Sequence, residues 1–347
     1  MIKIYNKKNI MPIVYKILLL LLITSNANAY DQAKLMNAWS SVVMIRGYTE
    51  SGSLAYGSGV IVGKNEVITN CHVLRRTEKP WVSQGDTSYS IEGVQANRWQ
   101  DLCLLTLFQL NRKPVPIGNS KDLIKGQELA GIGHSNGSPV PLTTGGYMIS
   151  TYDMENGRII LSSAKFRLGA SGSGLFDMEG NLVGINTFKT TGYGSYFSMP
   201  AEWIHGLRKQ PMETKFPITG KALWEEKEDD KPFFLKIAIP KVKEDWVNFI
   251  KVTSEWVTVE KDNTEAWYEH GYANEMLLKD NKALVAYKNA LAIDKNNSDA
   301  LFRMGIINNK LGLKKEARKI HTALNNLNPA RADELDEIIN CKTKCKK

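Results

Sequence analysis

The sequence predicts a multidomain protein in which an all-β domain precedes an all-α domain of helical repeats. From about residue 40 to 200, short apolar stretches such as Gly59–Val62 and Glu66–Thr69 alternate with Gly, Asn, Asp and Ser, as in consecutive strands joined by turns. No helix of useful length interrupts them, which excludes alternating βαβ units and favours an antiparallel barrel. Beyond about residue 240 the apolar residues follow a helical period.

Residues 1–29 have the order of charge, apolar run and small residues that is typical of a secretory signal peptide. Four lysines precede an unbroken apolar run from Ile17 to Ile23, and Ala27–Ala29 forms the cleavage site. The run is shorter than the ~20 residues needed to cross a bilayer, so we expect cleavage and no permanent membrane span. The mature chain should begin at Tyr30 and be secreted or periplasmic.

The composition after this leader excludes several classes of function. The formal net charge of +9 includes the four leader lysines, and much of the remaining excess lies in the last residues of the chain. No basic segment is interleaved with aromatic residues, so we predict no nucleic-acid partner. No cluster of His, Cys, Asp and Glu has the spacing of metal ligands, so we predict neither a metal nor another cofactor.

Three segments of the β-rich region contain a histidine, an aspartate and a serine in that order: Thr69–Val73, Asp101–Leu105 and Gly169–Gly174. A serine hydroxyl is a poor nucleophile unless an imidazole removes its proton, and a buried carboxylate orients that imidazole. We therefore predict Ser171 as nucleophile, His72 as general base and then acid, and Asp101 as the orienting anion. His134 is a rival base, but it lies in an expected loop.

Glycines surround the predicted nucleophile. Gly169 and Gly172 allow a tight turn, so the backbone amides of Gly169 and Ser171 can point at one spot. Two such amides would stabilise the oxyanion of a tetrahedral intermediate. We predict them as the oxyanion hole.

These segments resemble those of trypsin-like (chymotrypsin-fold) serine peptidases, and in particular the HtrA-like bacterial branch. The framing strands Gly57–Val62, Gly180–Thr187 and Tyr196–Pro200 are similar to that branch as well. The resemblance covers roughly residues 36–208, and it implies two six-stranded β-barrels over a domain at 30–209, with a protein or peptide as substrate. Ser173 departs from the family, which usually has a second glycine there. No PDZ domain is recognisable.

The resemblance also implies a specificity pocket formed by residues before the nucleophile and by a late strand: Lys165, Phe166, Thr187, Tyr196, Phe197 and Ser198. An inward-pointing Lys165 would favour an acidic substrate side chain, whereas Phe166 would limit the pocket to small apolar ones. No aspartate stands at the pocket floor, so we do not expect cleavage after arginine or lysine.

Cys71 and Cys103 each flank a residue of the predicted triad. If the side chains of His72 and Asp101 touch, the neighbouring backbones must also come close. A disulfide between the two cysteines is one hypothesis, and two small buried thiols are the other.

The sequence after the β-rich domain divides into two parts. Residues 210–240 contain a charge run with proline on either side, which predicts an exposed linker. Residues 241–347 contain aromatic, glycine and alanine positions that recur after 34 residues, and this pattern resembles the tetratricopeptide repeat. A protein partner on these repeats is therefore predicted, with a basic tail at the end.

Three hypotheses for the function follow from these features. The first is a secreted or periplasmic serine endopeptidase whose repeats recruit proteins. The second is a catalytically silent protease scaffold that carries a repeat-based binding module. The third, an α/β-hydrolase esterase, requires Gly-x-Ser-x-Gly and the order Ser-Asp-His. Ser173 breaks that motif and the order here is reversed, so the third hypothesis is excluded.

Overall fold

A computed structural model describes residues 32–190 and 194–341 of the chain. The predicted signal peptide at 1–29 and the predicted mature start at Tyr30 lie outside the described residues. Helix α1 (Gln32–Ser40) leads into the first strand. No helix in the described ranges is long and apolar enough to span a membrane.

Six strands form the first barrel: β1 (Val42–Tyr48), β2 (Leu54–Gly63), β3 (Glu66–Asn70), β4 (Trp81–Gln84), β5 (Thr87–Asn97) and β6 (Leu102–Leu107). They pair in the order β4-β1-β2-β3-β6-β5, and pairing of β4 with β5 closes the barrel. Strands β3 and β6 are antiparallel, with Asn70 opposite Leu102. The residues just after β3 and just before β6 therefore lie at the same end of the barrel.

Six further strands form a second closed barrel: β7 (Glu128–Gly133), β8 (Leu142–Met154), β9 (Gly157–Ser162), β10 (Ser173–Asp177), β11 (Leu182–Lys189) and β12 (Tyr196–Pro200). Their order is β10-β11-β12-β9-β8-β7, with β7 paired to β10. Antiparallel neighbours throughout are typical of a sequence in which short apolar strands alternate with turns. The predicted fold class, a double β-barrel followed by helices, is confirmed.

The segment predicted as an exposed linker at 210–240 is partly packed against the barrels, although residues 227–230 of its charge run are exposed. Strand β13 (Met212–Glu213) pairs with β5 and extends the first barrel's sheet. Ile218 and Leu223 are buried, and a helix begins at Phe233. The apolar residues between the charges anchor the segment, so only part of the charge run faces solvent.

Helix α2 (Ile204–Leu207) closes the β-rich domain, and seven helices follow between residues 233 and 340. They are α3 (Phe233–Val242), α4 (Trp246–Val259), α5 (Thr264–Met276), α6 (Asp280–Ile293), α7 (Ser298–Lys310), α8 (Lys314–Leu327) and α9 (Pro329–Asn340). Helices α5 and α7 begin 34 residues apart, as do α6 and α8. A Cβ on Gly271 would lie 2.6 Å from the ring of Tyr287, and one on Gly305 would lie 2.5 Å from Leu335. Glycine at these positions therefore lets adjacent helices pack closely.

The helices dock onto the second barrel through aromatic and polar contacts. Phe234 of α3 stacks on Tyr152 of β8 at 5.1 Å and lies 5.9 Å from the ring of Phe197. Farther along, Lys125 forms a 3.1 Å salt bridge with Asp299 of α7. The apolar core is continuous from the barrels into the first helices. The repeats therefore form an integral part of the folded molecule.

Glu265 of α5 lies in this interface and accepts a 2.8 Å hydrogen bond from the Ser150 hydroxyl. Burial, reinforced by the negative charge of Glu269, raises the pKa of Glu265 to about 7, although Ser150 and Lys125 act in the opposite direction. A carboxyl whose pKa is raised by folding binds its proton more tightly in the folded state than in the unfolded state. Its contribution to stability is therefore complete below about pH 4.5 and is lost as the pH rises to about 7.

We expect the free energy of unfolding to fall by the order of 1–3 kcal/mol between pH 5 and pH 8 because of this group. Urea unfolding of the wild type and of Glu265→Gln at both pH values measures the effect. The variant should show a smaller fall, since glutamine does not titrate. Equal pH slopes in the two proteins would mean that Glu265 does not couple protonation to docking.

Candidate active site

The ends of β3 and β6 bring His72 and Asp101 together. His72 lies in a short 3₁₀ turn, Cys71–Leu74, that follows β3, and Asp101 immediately precedes β6. The imidazole Nδ1 lies 2.6 Å from Asp101 Oδ2, and the His72 backbone amide donates to Oδ1 at 2.8 Å. The carboxylate is fully buried. This contact fixes the imidazole and leaves Nε2 for proton transfer.

Asp101 has a left-handed backbone, with φ of 56°, which aspartate tolerates better than most residues. Two hydrogen bonds to its carbonyl oxygen support this conformation, one from the Cys71 amide at 3.1 Å and one from Asn70 Nδ2 at 2.9 Å. The Asn70 amide group also donates to the Thr187 hydroxyl at 3.0 Å. Asn70 therefore links the Asp101 turn to strand β11 of the second barrel.

A disulfide joins Cys71 to Cys103 across the same strand ends, with the Cα atoms 5.0 Å apart. It closes a loop with a sequence separation of 32 residues. Loop-closure entropy for a loop of this size corresponds to about 3–4 kcal/mol of stabilisation. The bond therefore restrains the backbone on which both His72 and Asp101 stand.

The turn that carries Ser171 is pressed against the first barrel. Ser58 of β2 donates its amide to the Ser171 carbonyl at 2.8 Å. Gly172 has φ of 83°, and a Cβ there would lie 2.2 Å from the Ser58 carbonyl oxygen and 2.3 Å from Thr69 Oγ1. Only glycine fits, because this turn approaches β2 and the end of β3 so closely. Ser171 thus lies between the barrels, near the end of β3 that leads to His72.

Within the described ranges, no hydrogen bond joins the Ser171 hydroxyl to His72. The bond between nucleophile and base is often long in unliganded enzymes and shortens when substrate binds. The backbone amides of Gly169 and Ser171 have no acceptor in the described parts of the chain, and Gly169 has φ of 89°. The assignment of these two amides to an oxyanion hole stays a prediction.

The loop before the nucleophile is held through Ser58, a residue that the sequence did not single out. Ser58 Oγ donates to the Gly169 carbonyl at 2.8 Å and accepts a 2.9 Å hydrogen bond from the His134 amide. Asn136 donates its amide to the Leu168 carbonyl at 2.6 Å. The only available signal for Ser58 was its position between two glycines, which indicates a strand but no such role.

His134, the rival base, lies behind this loop. Its side chain is almost completely buried, and its Nδ1 lies 2.8 Å from the Ser138 carbonyl. Burial lowers the pKa of His134, and the hydrogen bond to Ser138 opposes the shift only in part. The arrangement gives His134 a supporting position rather than access to a substrate.

The six residues predicted for the specificity pocket do not all face the same space. The ring of Phe166 meets the ring of Tyr196 edge-on at 5.2 Å. Ser198, on the same face of β12 as Tyr196, is buried and donates to Asn186 Oδ1 at 2.8 Å. The side chain of Lys165 is exposed. These residues remain candidates for the pocket wall.

Phe197 faces away from this wall, whereas the assignment of Thr187, which is about as buried as Ser198, stays a prediction. Strand alternation turns Phe197 to the opposite face of β12, where its ring stacks on that of Phe188 at 4.8 Å. Thr187 is buried, and its hydroxyl donates to the Ile185 carbonyl at 2.8 Å while accepting from Asn70. Both side chains are part of the internal packing.

Ser173, the departure from the family pattern, is accommodated within the second barrel. Its hydroxyl accepts a 2.9 Å hydrogen bond from Asn186 Nδ2. A Cβ on Gly133 would lie 2.3 Å from the Ser173 Cβ, so the missing side chain of Gly133 provides the space. The extra hydroxymethyl group therefore does not displace the neighbouring turn.

An aromatic residue from the segment predicted as a linker completes the surroundings of the pair. The indole Nε1 of Trp224 donates to Asp101 Oδ2 at 3.3 Å. Its ring meets the imidazole of His72 edge-on, with the ring centroids 5.5 Å apart. The sequence offered no signal for this contact, because Trp224 immediately precedes a run of charged residues.

A family model described as "Trypsin-like peptidase domain" matches residues 57–185. Among curated relatives, anti-sigma-I factor RsgI9 of Acetivibrio thermocellus is 30% identical over 51% of this chain and 25% of its own length. Protease Do-like 1 of Arabidopsis thaliana is 32% identical over 44% of this chain and 38% of its own length. Serine protease HTRA1 of Xenopus tropicalis is 30% identical over 43% of this chain and 35% of its own length. The chain thus spans well under half of each relative.

Among solved structures, the active form of the Rv3671c protease from M. tuberculosis superposes with a TM-score of 0.50 at 18% identity. The match covers 56% of this chain and 91% of that protein, and it shows a shared fold. No part of the helical region falls within the residues that the family model matches. Residues 57–185 match the model of the trypsin-like peptidase domain, and over this region the chain is similar to HtrA-like serine peptidases.

Proposed function

We propose that the chain is a serine endopeptidase that cleaves peptide bonds with Ser171, His72 and Asp101. The observation that carries the proposal is the 2.6 Å contact between His72 Nδ1 and a buried Asp101 carboxylate, on the side of the first barrel against which the Ser171 turn packs. Burial of the carboxylate supports its role as the partner of an imidazolium.

In the proposed reaction, the Ser171 hydroxyl attacks the substrate carbonyl carbon while its proton moves to His72 Nε2. The amides of Gly169 and Ser171 stabilise the resulting oxyanion. His72 then gives the proton to the leaving amine as the peptide bond breaks, which leaves an acyl group on Ser171. Water, deprotonated by His72, attacks this ester, and His72 returns the proton to the Ser171 oxygen as the acyl C–O bond breaks, which releases the acid and restores the serine.

The substrate is proposed to be a protein or peptide. Phe166 and Tyr196 offer an aromatic wall to the residue before the cleaved bond. The exposed amino group of Lys165 would add a preference for an acidic side chain nearby. Cleavage after arginine or lysine is not proposed, since no carboxylate accompanies these residues.

The location is proposed to be outside the cytoplasm, either secreted or periplasmic. The leader at 1–29 supports this proposal, and so does the disulfide between Cys71 and Cys103, because such bonds persist in oxidising compartments. The helical region is proposed to resemble tetratricopeptide repeats and to recruit a protein partner. Exposed leucines at the turns of its hairpins, Leu278, Leu311 and Leu313, support an interaction there.

Labelling by a fluorophosphonate probe tests the assignment of Ser171. The wild type should be labelled and Ser171→Ala should not, with turnover lowered by about 10⁵–10⁶-fold. Ser53→Ala, at an exposed serine of the first barrel, serves as the control and should be labelled normally. A folded wild type that resists the probe would favour the alternative, a catalytically silent scaffold with a repeat-based binding module.

A further inference from the structure

Trp224 supplies a further hydrogen-bond donor to the Asp101 carboxylate, besides the two from His72. Oδ1 accepts the His72 backbone amide, whereas Oδ2 accepts both His72 Nδ1 and the Trp224 indole N–H. The carboxylate therefore has three donors from the described residues. Because a charged acceptor aligns along its hydrogen bonds, the third donor restricts rotation of the carboxylate that holds the imidazole.

The indole also shields the pair. Its plane is nearly perpendicular to the imidazole, at 86°, and its ring stacks on the ring of Phe188 with the centroids 5.7 Å apart. Phe188 belongs to β11 of the second barrel and Asp101 to the first. Trp224 therefore fills the space beside the pair with contacts to both barrels, which excludes water from Asp101.

Several bonds hold Trp224 in this position. It is the middle residue of a 3₁₀ turn, Leu223–Glu225, and the Leu223 amide donates to the Trp99 carbonyl at 3.0 Å. Glu225 forms a 2.6 Å salt bridge with Arg75, three residues after His72. Burial acts to raise the pKa of Glu225, but the bonds from the Ala222 amide and from Arg75 together lower it. The turn is thus fixed to the backbone that carries His72.

We propose that Trp224 is a positioning residue for the His72–Asp101 pair, acting through the Asp101 carboxylate and not on substrate. The inference rests on the proposed serine peptidase activity. The donor comes from beyond the two barrels, in the segment that leads to the helical region. Removal of the indole N–H should leave Oδ2 with one donor fewer and more negative charge facing the imidazole.

Trp224→Phe removes this donor and retains a ring to stack on Phe188. We expect kcat to fall about five- to thirtyfold with KM changed less than about twofold. We also expect the acid limb of the pH–kcat profile to move about half a pH unit upward, because the freed negative charge favours the protonated imidazole. The other charged groups beside the pair, Arg75 and Glu225, remain unchanged in this variant.

Trp267→Phe is the matched control, since its indole N–H donates to the Lys261 carbonyl in the helical region. It should leave both kinetic measurements unchanged. An unaltered kcat and pH profile in Trp224→Phe, with a wild type that reacts with fluorophosphonate, would overturn the role of Trp224 but leave the peptidase proposal intact.

A second measurement does not depend on turnover. In the background of Ser171→Ala, the NMR signal of the His72 ring proton is followed against pH with and without Trp224→Phe. We expect the signal to titrate at higher pH when the indole is absent. Identical titration curves would overturn the role of Trp224 even if the protein proved to be inactive. A wild type that does not react with fluorophosphonate would count only against the peptidase proposal.

Discussion

Replacing Asp101 with asparagine should lower kcat about 10⁴-fold while KM changes by less than about threefold. Asparagine has nearly the same shape, so the protein should fold. Its amide cannot accept hydrogen bonds at both ends, and it has no charge to stabilise the imidazolium. Oδ1 and Oδ2 of Asp101 both accept bonds from His72, so the substitution disturbs the imidazole through either end.

Steady-state kinetics on a peptide substrate, with active sites counted by titration, measures this effect. Asp153→Asn is the matched control, because Asp153 is exposed and forms a salt bridge with Arg158 on the second barrel. It should retain wild-type kcat. A loss of less than about tenfold in Asp101→Asn would contradict the assigned role of the carboxylate.

Replacing Gly172 with alanine should destabilise the protein by about 2–5 kcal/mol and reduce kcat/KM by more than about 100-fold. The added methyl group would overlap the carbonyl of Ser58 and the hydroxyl of Thr69. To relieve the overlap, the turn must move away from the first barrel. Ser171 would then move away from His72, so both stability and activity should fall.

Gly126→Ala separates the overlap from the backbone strain. Gly126 also has φ of 83°, but a Cβ there meets nothing within 4 Å. It should lose only the ~1 kcal/mol cost of the left-handed conformation and keep its activity. Thermal unfolding and kinetics on both variants make the comparison. Similar losses in the two proteins would show that packing between the barrels is not what demands glycine at position 172.

The barrels and the main residues of the site could be predicted because local sequence encodes them. Short apolar stretches that alternate with turn residues predict the strands. His72 lies two residues after one of those strands and Asp101 directly precedes another, so antiparallel pairing alone brings them to one end. The glycines around Ser171 likewise signal a tight turn. Each of these inferences uses only neighbours in the chain and a simple pairing rule.

The pocket and the linker depend on information that the sequence does not display. The pairing of β11 with β12 shifts its register between Asn186 and Phe188, and such an irregularity changes which side chains share a face. The side on which Thr187 and Phe197 lie therefore could not be deduced from spacing. Trp224 was missed for a different reason, since the charges that follow it suggest solvent while its own contacts are made with distant strands.

The position of Trp224 ties the chemistry of the barrels to the chain beyond them. Helix α3 begins nine residues later, at Phe233, and packs on Tyr152 through the stacked ring of Phe234. A fragment trimmed after the second barrel would contain every group of the proposed catalytic triad, yet it would open Asp101 to water. Kinetic constants measured on such a fragment would therefore not describe the full chain.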